Sequence, residues 1–262
     1  MQKQNNQIIL IRHGQSKFNQ MHEVLQKLKK KGDSKESVNI SEQLRFNSDY
    51  IDSPLTDEGI SQSEELYENS IKSIQNIKIV LVSPLQRALQ TAYHIFKDYK
   101  PIPWTIVIPE LSEYMNTAND IGINTLDYKK LKEFKDFDFQ RIEEIVNDNQ
   151  LWNISNLVSN EKKYTIQNIL EMRCPVQKQI QKQGPYVLVD YLKNSYLETP
   201  ADLSKRSIKV RDIINQYSSN YLQKEDEKIA VVSHAKLLQQ FIPEKLQNAQ
   251  MEYWNCCLNT HS

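Results

Sequence analysis

Four short apolar runs, rich in β-branched residues, constrain the fold of this 262-residue chain more than any other feature. The runs are Gln7–Ile11, Ile79–Val82, Thr105–Ile108 and Ile229–Val232. Their length and side chains are typical of buried strands rather than helices. Helical segments alternate with them, a pattern that indicates a largely parallel sheet covered on both faces. We therefore predict an α/β fold: a three-layer α/β/α sandwich with a mostly parallel central sheet.

Helix-start signals stand between these runs. Thr56 is typical of an N-cap and predicts a helix over residues 56–74. Ser83, which a proline follows, predicts a second helix over residues 83–96, because proline suits the first helical position. Apolar residues at helical spacing predict a third helix over Leu203–Leu222.

The length suits a single domain over residues 1–262 with additions to its core. Residues 20–52 are rich in Lys and Ser, and most of residues 114–200 is polar and lacks a clear strand. We expect both stretches to be insertions of helices and loops laid over the core.

The composition excludes several classes of partner and cofactor. Lys+Arg and Asp+Glu number 33 each, so a net charge of zero gives no field that would attract nucleic acid or an anionic membrane. No apolar run approaches the roughly 18 residues that a membrane span requires. The three cysteines, two of them adjacent, suit neither a disulfide framework nor a zinc site, and the five glycines form no phosphate-binding loop. We expect no metal, no cofactor and no nucleic-acid partner.

The N-terminal sequence enters a strand-like run almost at once, after MQKQNN. This leaves no room for a signal or transit peptide. We therefore expect an intracellular protein, located in the cytoplasm.

Charged and imidazole side chains follow three of the four predicted strands. Arg12 and His13 end the first, Arg87 lies in the helix after the second, and His234 follows the last. In open α/β sheets, ligands bind outside the carboxyl ends of the strands, so parallel neighbouring strands would bring these side chains together. Two guanidinium groups and two imidazoles suit an anion, above all a phosphoryl group. Cationic surroundings resist protonation of an imidazole and would leave it a competent nucleophile.

Each of these residues also has an ordinary structural interpretation when it is taken singly. Arg87 on a helix turn could form a surface ion pair, and His234 could be a hydrogen-bonded core histidine. Charged or imidazole side chains follow three separate strands, and this combination favours the anion site over these alternatives.

The motifs RHGQSKFN, SPLTDEGISQ, SPLQRALQTA and VVSHA, in this order, resemble those of the histidine phosphatase superfamily, also called the phosphoglycerate mutase-like family. The similar blocks cover Gln7–Asn19, Ser53–Glu113 and roughly Leu203–Phe241. The fold that the resemblance implies, a mostly parallel sheet between helices, agrees with the strand pattern.

The resemblance also implies roles for individual residues. His13 would attack the phosphoryl group and become a phosphohistidine. Arg12, Arg87 and His234 would bind the equatorial oxygens and stabilise their developing charge. Asn19 would add a hydrogen bond to the phosphate.

The general acid of the family is a Glu shortly after the third strand, usually within Leu-x-Glu. Glu113 fits this pattern and would protonate the leaving oxygen and later activate water. Glu110 is a rival three residues earlier, and either could be a solvated loop acid.

Two departures from the family pattern bear on activity. Ala235 stands in the predicted phosphate site where the family usually has Gly, and the turn Tyr114–Thr117 lacks the glycine that often follows the acid. The basic and aromatic run that follows the acid in phosphoglycerate mutases is also absent, which favours a phosphatase over a mutase.

Two hypotheses follow. The first is a metal-independent phosphomonoesterase of the histidine acid phosphatase type, acting on a phosphorylated small molecule or a phosphoprotein. The second is a weakly active or inactive member of the family with a structural role in a larger assembly. Under either hypothesis, a homodimer or a subunit of a complex is possible.

Overall fold

The computed structural model describes residues 7–30, 47–122, 125–146 and 198–255. Its centre is one five-stranded sheet with the strand order β3-β2-β4-β1-β5. The strands are β1 (Gln7–Arg12), β2 (Ile77–Val82), β3 (Trp104–Val107), β4 (Lys228–Ser233) and β5 (Met251–Asn255). Each neighbouring pair is parallel except β1 and β5, which are antiparallel. The prediction of a mostly parallel sheet is confirmed.

Seven α-helices lie in the described part of the chain. They are α1 (Lys17–Lys30), α2 (Asp57–Asn69), α3 (Gln86–Phe96), α4 (Thr125–Tyr128), α5 (Gln140–Val146), α6 (Pro200–Tyr221) and α7 (Ala235–Leu238). Single 3₁₀ turns accompany them at Ser48–Tyr50, Ile71–Ser73, Pro109–Leu111, Ala118–Asp120 and Lys132–Phe134. The described parts of residues 20–52 and 114–200 consist of helices, turns and loops, apart from Asp138, which forms an isolated bridge with Ile106 of β3.

Apolar side chains alternate between the two faces of the sheet and form two separate cores. On one face Ile9, Val80 and Val232 pack with residues of α2 and α3. On the other, Ile8 and Leu81 pack with residues of α6 and α7. A strand that buries both faces in this way needs an apolar residue at nearly every position, which is why the runs are continuous. The three-layer α/β/α architecture is confirmed.

The four parallel strands end in one row. Arg12 pairs with Ser233 across β1 and β4, and Val82 pairs with Val232 and Val107 across its two neighbours. The row continues into the loops, where His13 donates its backbone N–H to the carbonyl of Ser233 at 3.0 Å. The loops that follow the strands therefore begin side by side.

The predicted start of the second helix is wrong. Helix α3 begins at Gln86, and Leu85 rather than Ser83 occupies the N-cap. The Ser83 hydroxyl instead accepts the Leu85 N–H at 3.3 Å and contacts His234. The N–H of Gln86 donates to the Asp52 carboxylate at 2.7 Å, so the cap comes from a residue distant in sequence.

The other two helices differ from prediction at one end each. Helix α2 stops at Asn69, and a 3₁₀ turn replaces its predicted last turn. Helix α6 begins at Pro200, where Thr199 and Asp202 form a reciprocal capping box, three residues before the predicted start. Thr199-Pro200 thus forms the cap-and-proline start that the sequence suggested for Ser83-Pro84.

Strand β5 is missing from the prediction. It pairs antiparallel with β1 at the edge of the sheet, and only Trp254 is buried within its described part. One buried side chain gives no apolar run for a sequence pattern to detect. The adjacent cysteines at 256 and 257 lie outside the described residues. None of the described helices combines the length and apolar character needed to cross a bilayer.

Candidate active site

The loop after β1 holds His13 with a defined proton arrangement. Its Nδ1 lies 2.7 Å from the carbonyl oxygen of Gly14, and a carbonyl only accepts, so Nδ1 must carry the hydrogen. In the neutral ring Nε2 then has a free lone pair, and the Nε–H of Arg87 donates to it at 3.3 Å. His13 is buried, at 3% exposure.

Close packing of two glycines fixes this loop. A Cβ built on Gly14 would overlap the carbonyl oxygen of Gly59, and one on Gly59 would overlap the carbonyl oxygen of Gln15. The N–H of Gly14 donates to the hydroxyl of Thr91 in α3 at 3.0 Å. The start of α2 and the side of α3 therefore position the residue that follows His13.

Arg87, in the first turn of α3, is fully buried and directed by three partners. Besides His13, it donates to the backbone carbonyl of Asn119 at 2.7 Å and to the carboxylate of Asp120 at 3.2 Å. Burial raises the pKa of Asp120, whereas the charge of Arg87 opposes that rise. Asp120 is a site residue that the sequence analysis missed, because its position depends on how residues 117–120 fold back over α3.

His234 follows β4 and lies beside His13, with ring centroids 4.9 Å apart. Its Nε2 is 2.7 Å from the Ser83 hydroxyl, which joins the loops after β4 and β2. Its Nδ1 is buried and has no partner among the described residues. Ser83, predicted as a helix cap, instead orients this imidazole.

Arg12 and Asn19 are anchored from other directions. Arg12 donates to the carbonyl of Leu246 at 2.9 Å, while its buried Nε has no partner among the described residues. The Oδ1 atom of Asn19 accepts the N–H of Ser16 at 3.2 Å, and this contact fixes the orientation of the amide. Ala235 is buried as the first residue of α7 and has a helical conformation that alanine adopts without strain.

The structure separates the two candidate acids. The side chain of Glu113 accepts the N–H of Tyr114 at 2.8 Å and the N–H of Lys236, two residues after His234, at 3.4 Å. Glu110 faces elsewhere, with one carboxylate oxygen 2.7 Å from Lys209 and 3.4 Å from Arg141. Of the two, Glu113 lies beside the His234 loop.

Electrostatics shifts the two titratable groups in opposite directions. Burial, and after it the charges of Arg87 and Arg12, holds the pKa of His13 well below its ordinary value. Burial, and after it the charge of Asp120, raises the pKa of Glu113. Relative to the ordinary groups, the first shift favours the neutral form of His13 and the second favours the protonated form of Glu113.

The site thus gathers two arginines, two histidines and one glutamate at the carboxyl ends of the parallel strands: Arg12, His13, Arg87, Glu113 and His234. Two of its buried nitrogens, Arg12 Nε and His234 Nδ1, have no hydrogen-bond partner among the described residues. Buried polar atoms are nearly always paired, so orphans of this kind suit an anionic ligand with several acceptor oxygens. Across the described ranges, no group of three or more His, Cys, Asp or Glu residues has the spacing of a metal site.

Comparison with known proteins agrees with the motifs. The family model described as the histidine phosphatase superfamily (branch 1) matches residues 8–148. No curated protein matches the sequence significantly.

Several solved phosphatase structures are similar to this chain at low sequence identity. The ecdysone phosphate phosphatase from Bombix mori, in complex with tungstate, is 12% identical with a TM-score of 0.51, and the match covers 95% of this chain and 88% of that chain. The alpha-ribazole phosphatase from Shigella flexneri is 16% identical with a TM-score of 0.45, covering 94% of this chain and 89% of that chain. A phosphoserine phosphatase from Entamoeba histolytica, in complex with 3-phosphoglyceric acid, is 18% identical with a TM-score of 0.41, covering 94% and 89%.

Proposed function

Because the chain belongs to the histidine phosphatase superfamily, we propose that it is a phosphomonoesterase that acts through a covalent phosphohistidine on His13. One observation carries the proposal most directly. The hydrogen on Nδ1 is held by the Gly14 carbonyl, so Nε2 is the ring atom that carries the lone pair, and that lone pair accepts the Nε–H of Arg87 at 3.3 Å. A nucleophilic imidazole needs that atom unprotonated, and the lowered pKa of His13 supports this state.

In the first step, Nε2 of His13 forms a bond to phosphorus as the bond from phosphorus to the leaving oxygen breaks. Arg12, Arg87 and His234 would bind the three equatorial oxygens, with Asn19 and the backbone at Ala235 completing the phosphate site. Donors already fixed toward the developing charge stabilise the transition state without reorganisation. The buried, partnerless nitrogens of Arg12 and His234 support this assignment.

Glu113 would supply the proton that the leaving oxygen requires. Its raised pKa favours the protonated form, and its contact with the N–H of Lys236 keeps it beside the His234 loop. In the second step, the resulting carboxylate would accept a proton from water as that water attacks the phosphohistidine. General acid–base catalysis of this kind contributes about 10²–10⁴-fold to rates.

The experiment that tests the proposal measures phosphate release from an aryl phosphate between about pH 5 and 8 in EDTA, the range in which the two groups are expected to act. The protein is compared with His13→Ala and with His94→Ala. His94 lies at the far end of α3 and pairs with Glu64, so its replacement removes a histidine without altering the site. We expect turnover in EDTA, and acid-labile phosphohistidine by mass spectrometry, in the wild type and His94→Ala but not in His13→Ala.

A folded wild-type protein with no turnover and no phosphohistidine, across a panel of sugar phosphates, small phosphorylated metabolites and phosphopeptides, would contradict the proposal. That result would favour the alternative hypothesis, an inactive member of the family with a structural role. Recovery of the protein in a large complex would then be the next observation to seek.

A further inference from the structure

A buried ion pair outside the phosphate site lies under the loop that carries Glu113. Arg206, on α6, and Glu198, just before that helix, have side chains that are 5% and 0% exposed. The pair is bidentate: Arg206 Nε and a terminal nitrogen lie 2.8 Å and 2.7 Å from the two oxygens of Glu198. Neither residue has a part in the phosphate chemistry proposed above.

The remaining donors of Arg206 all contact the backbone of the acid loop. One terminal nitrogen donates to the carbonyls of Glu110 at 2.8 Å and Ser112 at 2.7 Å. The other donates to the carbonyl of Glu113 itself at 3.2 Å. All five N–H groups of this guanidinium are therefore occupied, two by Glu198 and three by the loop.

Glu198 holds the far side of the same loop. Its carboxylate accepts the N–H of Met115 at 3.1 Å, and its own N–H donates to the carbonyl of Met115 at 3.0 Å. The backbone is thus fixed both before and after Glu113 by two residues that belong to a different part of the chain.

We infer that Arg206 and Glu198 are positioning residues that set the place of the Glu113 carboxyl group relative to the leaving oxygen. The inference rests on the proposed function, because it assigns the pair to the acid of that reaction. Burial of two charges is costly and does not by itself stabilise a fold over an apolar alternative. What this pair does provide is five directed hydrogen bonds around one short loop.

The step in question is the transfer of the proton from Glu113 to the leaving oxygen as the P–O bond breaks and the N–P bond to His13 forms. A poor leaving group, such as a primary alkoxide, needs that proton; a dinitrophenolate departs without it. A displaced acid therefore lowers the rate of cleavage of an alkyl phosphate much more than that of a dinitrophenyl phosphate. A variant that only weakens the fold lowers the rates for both substrates by the same factor.

The test compares kcat/KM for an alkyl phosphate and for 2,4-dinitrophenyl phosphate, since kcat/KM reports the step in which the leaving group departs. Arg206→Lys keeps the charge but loses the planar fork and two of the five donors. Glu198→Gln keeps the shape and removes the charge. Val210→Ala, one turn further along α6 and buried in the core, is the matched control for a weakened helix.

We expect kcat/KM of both pair variants to fall by about 10-fold or more for the alkyl phosphate, and by less than about 3-fold for the dinitrophenyl ester. Val210→Ala should change kcat/KM for the two substrates by the same factor. Equal losses on both substrates, no loss on either, or two pair variants that fail to fold would overturn the inference while leaving the proposed function intact. A wild-type protein with no turnover and no phosphohistidine would overturn the proposed function, and this inference with it.

Discussion

The relative order of two pKa values decides whether His13 and Glu113 can act together at one pH. In water a histidine is more basic than a glutamate, so a protonated carboxyl group normally accompanies a protonated imidazole. In the folded protein, burial and the two arginines lower the pKa of His13, while burial and Asp120 raise the pKa of Glu113. The two shifts move the groups toward the reversed order that nucleophile and acid require.

The pH dependence of kcat/KM checks this pairing. We expect kcat/KM for an alkyl phosphate to fall on the alkaline side as Glu113 loses its proton, at a pH above the ordinary range of a carboxyl group. Glu113→Gln should lose that limb and be slower by about 10²-fold or more. Ionisation of the substrate is common to both proteins and cancels in their ratio. An alkaline limb that persists unchanged in the variant would contradict the role of Glu113.

Some of these residue properties can be predicted from sequence and others cannot. The sequence analysis placed Arg12, His13, Arg87 and His234 at strand ends, because parallel strands put their carboxyl ends in one row. It did not find the partners that orient them, such as Asp120 for Arg87 and Ser83 for His234. Those contacts join segments 33 and 151 residues apart, and no local pattern encodes them.

At the scale of elements, the glycines of the RHG and LTDEG motifs let the loop after β1 pack against the start of α2. Each would place a Cβ onto a backbone carbonyl of the other segment. The Thr56 N–H donates to the Gln15 carbonyl at 2.9 Å, which shows how closely the two backbones approach. Glycine is needed here for close approach rather than for an unusual backbone conformation.

Gly59→Ala should therefore move the loop that holds His13. The added methyl group meets backbone, which cannot rotate away, so we expect a loss of about 1–3 kcal/mol in the free energy of unfolding and a marked drop in turnover. Ser61→Ala, at an exposed position of the same helix, should stay within about 0.5 kcal/mol of the wild type and keep its activity. Urea denaturation and phosphate release measure the two effects. Wild-type turnover in Gly59→Ala would show that the contact does not position the site.

The start of α3 depends on a carboxylate from another segment. Asp52 accepts the N–H of Gln86 at 2.7 Å and the hydroxyl of Tyr128 at 3.1 Å. Burial raises the pKa of Asp52 to about 7, and its two hydrogen bonds only partly offset that rise. Below about pH 7 the protonated form of Asp52 therefore predominates in the folded protein, unlike that of an exposed N-cap aspartate.

The raised pKa predicts how stability changes with pH. Between about pH 4, where Asp52 ionises in the unfolded chain, and about pH 7, where it ionises in the folded one, the folded state binds the extra proton. The contribution of Asp52 to the free energy of unfolding should fall as pH rises through this window, by up to about 4 kcal/mol, and stay constant above it. Asp52→Asn should lack this dependence while keeping an acceptor for Gln86. Urea denaturation of both proteins across the window checks it, and parallel pH curves would contradict it.

At the scale of the whole molecule, the architecture could be predicted because a strand that is buried on both faces of the sheet appears in the sequence as a continuous apolar run. All four parallel strands were found for that reason. Strand β5 was not, because it lies at the edge and buries little apart from Trp254. The Leu-x-Glu pattern favoured Glu113 over Glu110 as the acid but could not show where either side chain points, because that depends on contacts with α6, α7 and Arg141.

The proposed phosphate site is assembled from segments that meet only in the folded protein, so an oxyanion that binds it should stabilise the whole molecule. Tungstate at about 100 times its dissociation constant would add about 2.7 kcal/mol to the free energy of unfolding. For a chain of this size, that corresponds to a rise of about 5–10 °C in Tm.

Arg12→Met should lose most of the rise, because it removes a guanidinium whose Nε is buried without a partner among the described residues. Lys97→Met removes the same charge at the opposite end of α3, where Lys97 pairs with Glu64, and should keep the full rise. Equal rises in both variants, measured by differential scanning fluorimetry, would place the bound anion away from the strand ends and contradict the site.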